Sequence, residues 1–329
     1  MMSNYHNMKT IHIGEWRISP LGIGTWQAGS RMWGTSITDE AVEAIVEALS
    51  YGINFIDTAE IYGWGKSEIL VGEALKRYGA SDVLVASKIA GCNVRPEQVE
   101  KHAESSRRRL GIDAIGLYQL HWPPSIYTDE CRVIWSLESL IDKGIAHMIG
   151  LCNYDWDELE KALYCTKKYE IVSDQVEYSL VQRAPERRLF ESLRKHNMTL
   201  IGWGTLAKGA LAGKRRVDNM ARLLDPSFYY AARDWKLQEV LNDIAKKYGV
   251  STATIAIRWS IEKGVIPLVG IRRRSHVKSL VEATKLSLTQ EELIRLDKVT
   301  RKYVIRGFTR IVSRVIPNIL VCSIFRLFL

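Results

Sequence analysis

The chain has 329 residues, of which 47% are hydrophobic and 25% are charged, so it is neither a disordered nor a fibrous protein. Its net charge of +9 is unevenly distributed, because residues 301–329 hold six cations and no acid. The remainder is close to balanced, which removes the main support for a nucleic-acid partner.

The cysteine content and the apolar runs indicate in which cellular compartment the protein is expected. Five cysteines, an odd number, form no C-x-x-C pair. We therefore expect neither a disulfide framework nor a zinc knuckle, and we expect a reducing environment. Residues 1–9 lack the long apolar core of a secretory signal, and no stretch offers the roughly 20 uninterrupted apolar residues of a membrane span. These features predict a cytoplasmic protein.

A β-branched run, a turn and an amphipathic stretch follow one another repeatedly along the chain, which is typical of βα units. Before the first unit, residues 10–19 predict a hairpin that turns at Gly14-Glu15. The eight predicted strands span 21–26, 53–58, 82–88, 115–121, 145–151, 171–176, 198–203 and 265–271.

Helix boundaries are marked between these strands. Capping boxes are predicted at Asp155-x-x-Glu158 and at Thr289-x-x-Glu292, where each side chain pairs with a free first-turn N–H group. In the longest interval, residues 233–248 and 251–263 predict two helices. Glycines expected in the left-handed conformation at helix ends are Gly52, Gly79, Gly111, Gly144, Gly249 and Gly264.

Eight strands alternating with helices imply a parallel sheet that is buried on both faces. Such a sheet is either open and doubly wound or closed into a (β/α)8 barrel. A doubly wound dinucleotide domain needs G-x-G-x-x-G between its first strand and helix, whereas Gly22-Ile23-Gly24 lies inside the strand. We therefore predict a (β/α)8 TIM barrel over residues 10–300, with the hairpin covering the barrel floor, in a single domain spanning 1–329.

The chemistry is expected where the barrel strands end, because active sites of this fold form at the C-terminal strand tips. Asp57, Lys88 and His121 end three successive predicted strands, and Tyr62 follows Asp57 by five residues. Alone, each has an ordinary structural role as a helix cap, a surface lysine or a core residue. Together they suit proton transfer, since a phenol with a pKa near ~10 needs a cation such as Lys88 to become acidic. Asp57 would hold Lys88, and His121 would donate to a substrate oxygen.

These residues and their surroundings resemble the aldo-keto reductases from about Ser19 to Lys298. The matching stretches are LGIGTW, NFIDTAEIYG, VASK, QLHW, GLCNY, QVEYSL and IPLVGIR. The resemblance implies that Asp57, Tyr62, Lys88 and His121 form the family's catalytic tetrad. It also implies NAD(P)H-dependent reduction of a small-molecule carbonyl, with hydride passing to the carbonyl carbon while Tyr62 protonates the oxygen.

A cofactor site follows from the same resemblance. Trp203 would lie against the nicotinamide, and Asn153 and Gln175 would bind its carboxamide. Cations beside a helix N-terminus suit a phosphate. By resemblance, the phosphate at Arg272 and Arg274 is the adenosine 2′-phosphate, which favours NADP(H) over NAD(H). The predicted cofactor contacts are Gly24, Thr25, Asn153, Gln175, Trp203, Gly204, Leu206, Lys208, Gly209, Lys214, Gly270, Arg272, Arg274 and His276.

Three tryptophans near the predicted strand tips, Trp26, Trp64 and Trp122, predict an apolar substrate pocket, with simple packing at the barrel rim as the alternative. Cys152 departs from the family pattern, which usually has serine before the asparagine. That difference weakens one expected hydrogen bond to the carboxamide.

The C-terminal residues 303–329 are apolar and cationic. The resemblance implies that they fold over the barrel mouth as a lid, which is the interpretation we favour. The alternative is that they lie on an anionic membrane surface as a basic amphipathic segment.

Two other functions remain as alternatives to a reductase. One is an NADP(H)-binding, redox-sensing regulatory subunit with little turnover. The other is a barrel lyase that uses Lys88 as a Schiff-base nucleophile.

Overall fold

A computed structural model describes residues 8–29, 38–79, 82–92 and 94–303. Its strands are β1 (Ile11–Ile13), β2 (Trp16–Ile18), β3 (Gly22–Gly24), β4 (Phe55–Asp57), β5 (Leu84–Ile89), β6 (Ile115–Leu120), β7 (Ala146–Cys152), β8 (Ile171–Glu177), β9 (Thr199–Trp203) and β10 (Ile266–Gly270). Eight parallel strands close into a barrel in the order β10-β3-β4-β5-β6-β7-β8-β9, which confirms the (β/α)8 fold and excludes the open sheet.

Helices surround the barrel. They are α1 (Trp26–Gly29), α2 (Thr38–Ser50), α3 (Lys66–Tyr78), α4 (Val99–Leu110), α5 (Glu130–Asp142), α6 (Trp156–Tyr164), α7 (Leu189–Lys195), α8 (Met220–Leu223), α9 (Pro226–Arg233), α10 (Trp235–Tyr248), α11 (Thr252–Glu262), α12 (Arg274–Lys285) and α13 (Gln290–Thr300). The pattern predicted α10 and α11 but not α8 and α9, because helices this short show no periodicity. Within the described ranges, no helix combines the length and apolar character that crossing a bilayer requires.

The predicted hairpin is formed by β1 and β2, which pair antiparallel. Ile13 and Ile18 are fully buried, and they pack in one cluster with residues from the barrel interior. The other buried members of that cluster are Phe55, Leu84, Ala86, Leu117, Met148, Ile201, Ile266 and Leu268. The hairpin therefore covers the floor of the barrel, as predicted.

Local signals set the helix ends. Both predicted capping boxes form, at Asp155 with Glu158 and at Thr289 with Glu292. Gly72 allows α3 to approach α4, since a Cβ atom there would lie 2.6 Å from the carbonyl oxygen of Leu110. These local features hold the helices against the strands whose tips carry the candidate site.

The expectation that the cysteines form no disulfide framework was wrong. Cys131 and Cys165 form a disulfide, with their Cα atoms 4.8 Å apart although 34 positions separate them in the sequence. Cys131 lies in the first turn of α5, and Cys165 follows the last residue of α6. Spacing along the chain does not show that two neighbouring helices bring these ends together. Cys322 and the tail alternatives, lid or membrane segment, lie outside the described residues, as does all of 304–329.

We expect the double variant Cys131→Ser/Cys165→Ser to unfold with a free energy lower by about 2–4 kcal/mol, because the bond restricts the unfolded chain. Denaturant titration without reductant measures the difference. Under a strong reductant the double variant and the wild type should agree. Equal stability of the two proteins without reductant would show that the bond does not form.

Candidate active site

The carboxyl ends of neighbouring strands bring the predicted acid and base together. Asp57 ends β4, and Lys88 lies near the end of β5. The Lys88 Nζ atom donates to Asp57 Oδ2 at 2.6 Å and to the Thr58 carbonyl oxygen at 2.8 Å. Asp57 is 2% exposed and Lys88 is not exposed at all. Since burial of one such charge alone is costly, the two side chains form an interdependent ion pair.

Tyr62 and His121 complete the predicted group of four. The Lys88 Nζ atom lies 5.0 Å from the centre of the Tyr62 ring, and its positive charge acts on the phenol. The His121 ring meets the Tyr62 ring edge-on, with centroids 5.6 Å apart. The structure therefore places an ammonium, a phenol and an imidazole in one small volume beside the Asp57 carboxylate.

Burial controls the protonation of these groups. Burial raises the pKa of Tyr62 to about 12, and the positive charge of Lys88 works in the opposite direction but is outweighed. Burial followed by the charge of Lys88 lowers the pKa of His121 well below its ordinary value. At neutral pH the phenol is therefore protonated and the imidazole is neutral. The direction in which Lys88 changes the pKa of Tyr62 was predictable from the sequence, but the larger contribution of burial was not.

The two predicted carboxamide contacts hydrogen-bond protein groups in this structure. Gln175 Nε2 donates to Asp57 Oδ1 at 2.7 Å. Asn153 has a positive φ of 62°, and its Nδ2 donates to the carbonyl oxygen of His121 at 2.9 Å. Its Oδ1 accepts from Trp203 Nε1 at 3.0 Å. Asn153 thus joins the tips of three strands.

Lys208 lies inside the mouth of the barrel. Its Nζ atom is 5.0 Å from the ring centres of both Trp26 and Trp203, and it pairs with Asp225 at 3.0 Å. Glu177 is nearby, and burial and the charge of Asp225 raise its pKa. Lys208, one of the predicted cofactor contacts, is therefore held by an acid that the sequence pattern did not indicate.

Positive charge gathers where α12 begins. Burial and the charges of Arg273 and Arg222 lower the pKa of Arg272. His276 Nδ1 accepts a hydrogen bond from the backbone N–H of Arg272. Burial and the positive charges of Arg273, Arg272 and Lys214 lower the pKa of His276. Arg274 differs from Arg272, since it is exposed and pairs with Glu47 at 2.5 Å.

The remaining predicted cofactor positions are mostly backbone features. Thr25 is buried, and its Oγ1 donates to the Asp57 carbonyl oxygen at 2.9 Å. Its hydroxyl therefore links β4 to the loop that follows β3. Gly204 and Gly209 have positive φ angles of 73° and 96°. A Cβ atom at Gly270 would lie 2.6 Å from the Gln27 side chain. Gly24 pairs in register with Gly270, and Leu206 precedes the turn that contains Gly209.

The three predicted pocket tryptophans are not equivalent. Trp26 lies 6.5 Å from the Tyr62 ring, and Trp122 lies 5.0 Å from the His121 ring. Trp64 is 43% exposed and has a positive φ of 57°. Trp26 and Trp122 therefore border Tyr62 and His121, whereas the Trp64 side chain is exposed at the surface.

Sequence reasoning missed Gln119, a buried residue inside the barrel, and its contact with Cys152. Gln119 Nε2 lies 3.5 Å from Asp57 Oδ1, and Cys152 Sγ lies 3.5 Å from Gln119 Oε1. A signal was available, because Gln119 precedes His121 by two positions and alternate strand residues point to the same side.

The chain belongs to the aldo/keto reductase family, whose model matches residues 20–301. It is 31% identical over 294 residues to the aldo-keto reductase YhdN of Bacillus subtilis, covering 83% of this chain and 87% of that protein. It is 27% identical over 316 residues to the NADH-specific methylglyoxal reductase of Escherichia coli, covering 87% and 96%. A solved aldo/keto reductase from Klebsiella pneumoniae in complex with NADP and acetate superposes with a TM-score of 0.74 at 26% identity, covering 89% and 95%. The chain is thus an oxidoreductase of this family.

We expect Lys88→Met to lower the free energy of unfolding by about 3–5 kcal/mol, because it leaves the Asp57 carboxylate buried and uncompensated. Denaturant titration measures the loss. The double variant Lys88→Met/Asp57→Asn should recover part of it. Lys247→Met, which removes an exposed lysine paired with Glu292, is the control and should lose far less. Similar losses in the two single variants would contradict the dependence on burial.

Proposed function

We propose that this protein reduces small aldehydes or ketones with NADPH, or runs the reverse alcohol oxidation, and that Tyr62 is the proton donor. The observation that carries the proposal is the buried ion pair of Lys88 with Asp57, whose ammonium lies beside the Tyr62 ring. The bound nicotinamide would supply the hydride that reaches the carbonyl carbon. The membership of the aldo/keto reductase family supports this reaction type.

The raised pKa of Tyr62 suits the direction of reduction. A phenol with a pKa of about 12 holds its proton at neutral pH and releases it only to an oxygen that has become strongly basic. Such an oxygen develops as the carbonyl accepts hydride. Lys88 then stabilises the negative charge that forms on the phenol, and Asp57 keeps Lys88 in place.

His121 would orient the substrate. Its ring is neutral at physiological pH and lies edge-on to Tyr62, so one N–H group is available for the substrate oxygen. Nδ1 of this buried ring has no hydrogen-bond partner among the described residues. Trp26 and Trp122 border the same volume, which favours small apolar carbonyl compounds over charged ones.

The described residues fit a phosphorylated dinucleotide. The turn after β9 contains Gly204 and Gly209 at positive φ angles, and the lack of side chains there lets a bound anion approach the backbone closely. Arg272, Arg273 and Lys214 lie close enough to influence the pKa of His276. This concentration of cations at the start of α12 suits a phosphate dianion, and it supports NADPH over NADH.

We expect Tyr62→Phe to lower the kcat for carbonyl reduction by about 10²–10⁴-fold, because the proton donor is lost. NADPH oxidation across a panel of aldehydes and ketones measures it. Tyr164→Phe, on a side chain that is 91% exposed, is the matched control and should match wild type.

The pH profile checks the same assignment. The donor form of Tyr62 is present below its pKa and is lost only as pH rises towards about 12. Reduction by the wild type should therefore show no loss from phenol ionisation across the neutral and mildly alkaline range. Full reductase activity in Tyr62→Phe would show that another group delivers the proton.

We expect Arg272→Ala to raise the KM for NADPH by roughly 10- to 100-fold, while the KM for NADH changes little, since only NADPH has the 2′-phosphate. Arg274→Ala should act in the same direction but less, because Arg274 already pairs with Glu47. Initial rates with each cofactor measure the ratio. Arg77→Ala removes an exposed arginine paired with Glu43 and serves as the control. Equal effects of Arg272→Ala on both cofactors would overturn the NADPH assignment.

A further inference from the structure

Gln119 is a fully buried polar residue inside the barrel, on β6. The strand register pairs it with Lys88 on β5 and with Gly150 on β7. A Cβ atom at Gly150 would lie 3.2 Å from the Gln119 side chain, so the glycine leaves room for the amide. Gln119 therefore occupies the interior beside the group that holds Lys88.

Both carboxylate oxygens of Asp57 face donors. Oδ2 accepts from Lys88 at 2.6 Å, and Oδ1 accepts from Gln175 Nε2 at 2.7 Å. Gln119 Nε2 lies 3.5 Å from the same Oδ1, which is long for a hydrogen bond. In this buried interior, however, an amide dipole acts on a carboxylate with little screening. Two amides at one oxygen and an ammonium at the other fix the plane of the carboxylate.

Cys152 determines which end of the Gln119 amide faces Asp57. The Cys152 thiol donates to Gln119 Oε1 at 3.5 Å. Burial raises the pKa of this thiol well above its ordinary value, so it keeps its hydrogen. Because the amide oxygen accepts from the thiol, the NH₂ group of Gln119 is directed to the carboxylate.

We propose that Gln119 is a positioning residue for Asp57, and that Cys152 keeps its amide oriented for this role. The proposal rests on the proposed function, since Asp57 acts there by holding Lys88 beside Tyr62. Gln119 acts through Asp57 and Lys88 on the proton that Tyr62 delivers.

The first test removes the amide. Gln119→Leu should lower kcat by roughly threefold to tenfold and leave the KM for NADPH unchanged, as expected for a weakened contact to a charged group. A readout independent of turnover is the free energy of unfolding of Gln119→Leu, Asp57→Asn and the double variant. The two changes should be non-additive, because the side chains interact directly.

The second test replaces the amide with an isosteric carboxyl. Gln119→Glu places a second acid beside Asp57, and two such carboxyls cannot both ionise freely. With the proton held, the new group can still donate to Asp57. As pH rises between about 5 and 8, the new carboxyl should lose that proton and kcat should fall, whereas the kcat of the wild type should not fall over this range. The titratable groups around this position are Asp57 on β4, Tyr62 in the loop after β4, Lys88 on β5, Cys152 on β7 and Asp174 on β8.

The thiol is tested within the same series. Cys152→Ala should lower kcat less than Gln119→Leu does, and it should add nothing in the Gln119→Leu background. Cys152→Ser keeps a donor and should restore kcat. Ser173→Ala is the control, because Ser173 is buried next to Gly150 and its hydroxyl has no hydrogen-bond partner among the described residues. It should leave kcat and the pH profile unchanged.

The outcomes separate the two proposals. If the wild type oxidises no NADPH with any carbonyl compound, the proposed function fails, and the unfolding cycle still tests the contact between Gln119 and Asp57. If the wild type turns over normally, while Gln119→Leu retains its kcat and Gln119→Glu gains no acid-to-neutral limb, Gln119 is not a positioning residue. Additive unfolding free energies would likewise overturn the contact.

Discussion

The ion pair between Lys88 and Asp57 is the interaction on which the site depends. Neither charge has solvent to compensate it, so each is stable in the interior only because the other is present. The pair also fixes geometry, since the ammonium is held by Asp57 and by the Thr58 carbonyl oxygen. The phenol of Tyr62 therefore meets a cation whose position is set by the ends of two strands.

Two opposing effects act on the pKa of the Tyr62 phenol. Lys88 favours the phenolate, but the loss of solvent favours the neutral form more strongly. The phenol is therefore protonated at neutral pH. Under the proposed function, it would keep its proton until a substrate oxygen becomes basic, and in the oxidative direction it would first have to lose that proton.

The sequence predicted the features that depend on local pattern. The barrel followed from eight strands at regular spacing, and the meeting of Asp57, Lys88 and His121 followed from the shared edge where parallel strands end. Contacts between distant segments were not predictable. Asp225 pairs with Lys208 and Cys131 bonds to Cys165 because loops and helix ends meet in space, which no spacing rule encodes. Gln119 was partly predictable. Its position two residues before His121 indicates that its side chain faces the barrel interior, but the sequence does not indicate which residues it contacts there.

The N-terminal hairpin limits how a ligand can reach the barrel interior. The buried side chains of Ile13 and Ile18 close the barrel at the amino ends of its strands. Under the proposed function, a carbonyl compound would approach the candidate site from the opposite end of the barrel, beside Trp26 and Trp122. Cofactor and carbonyl compound would then share that approach, so the order in which they bind becomes a kinetic property of the fold.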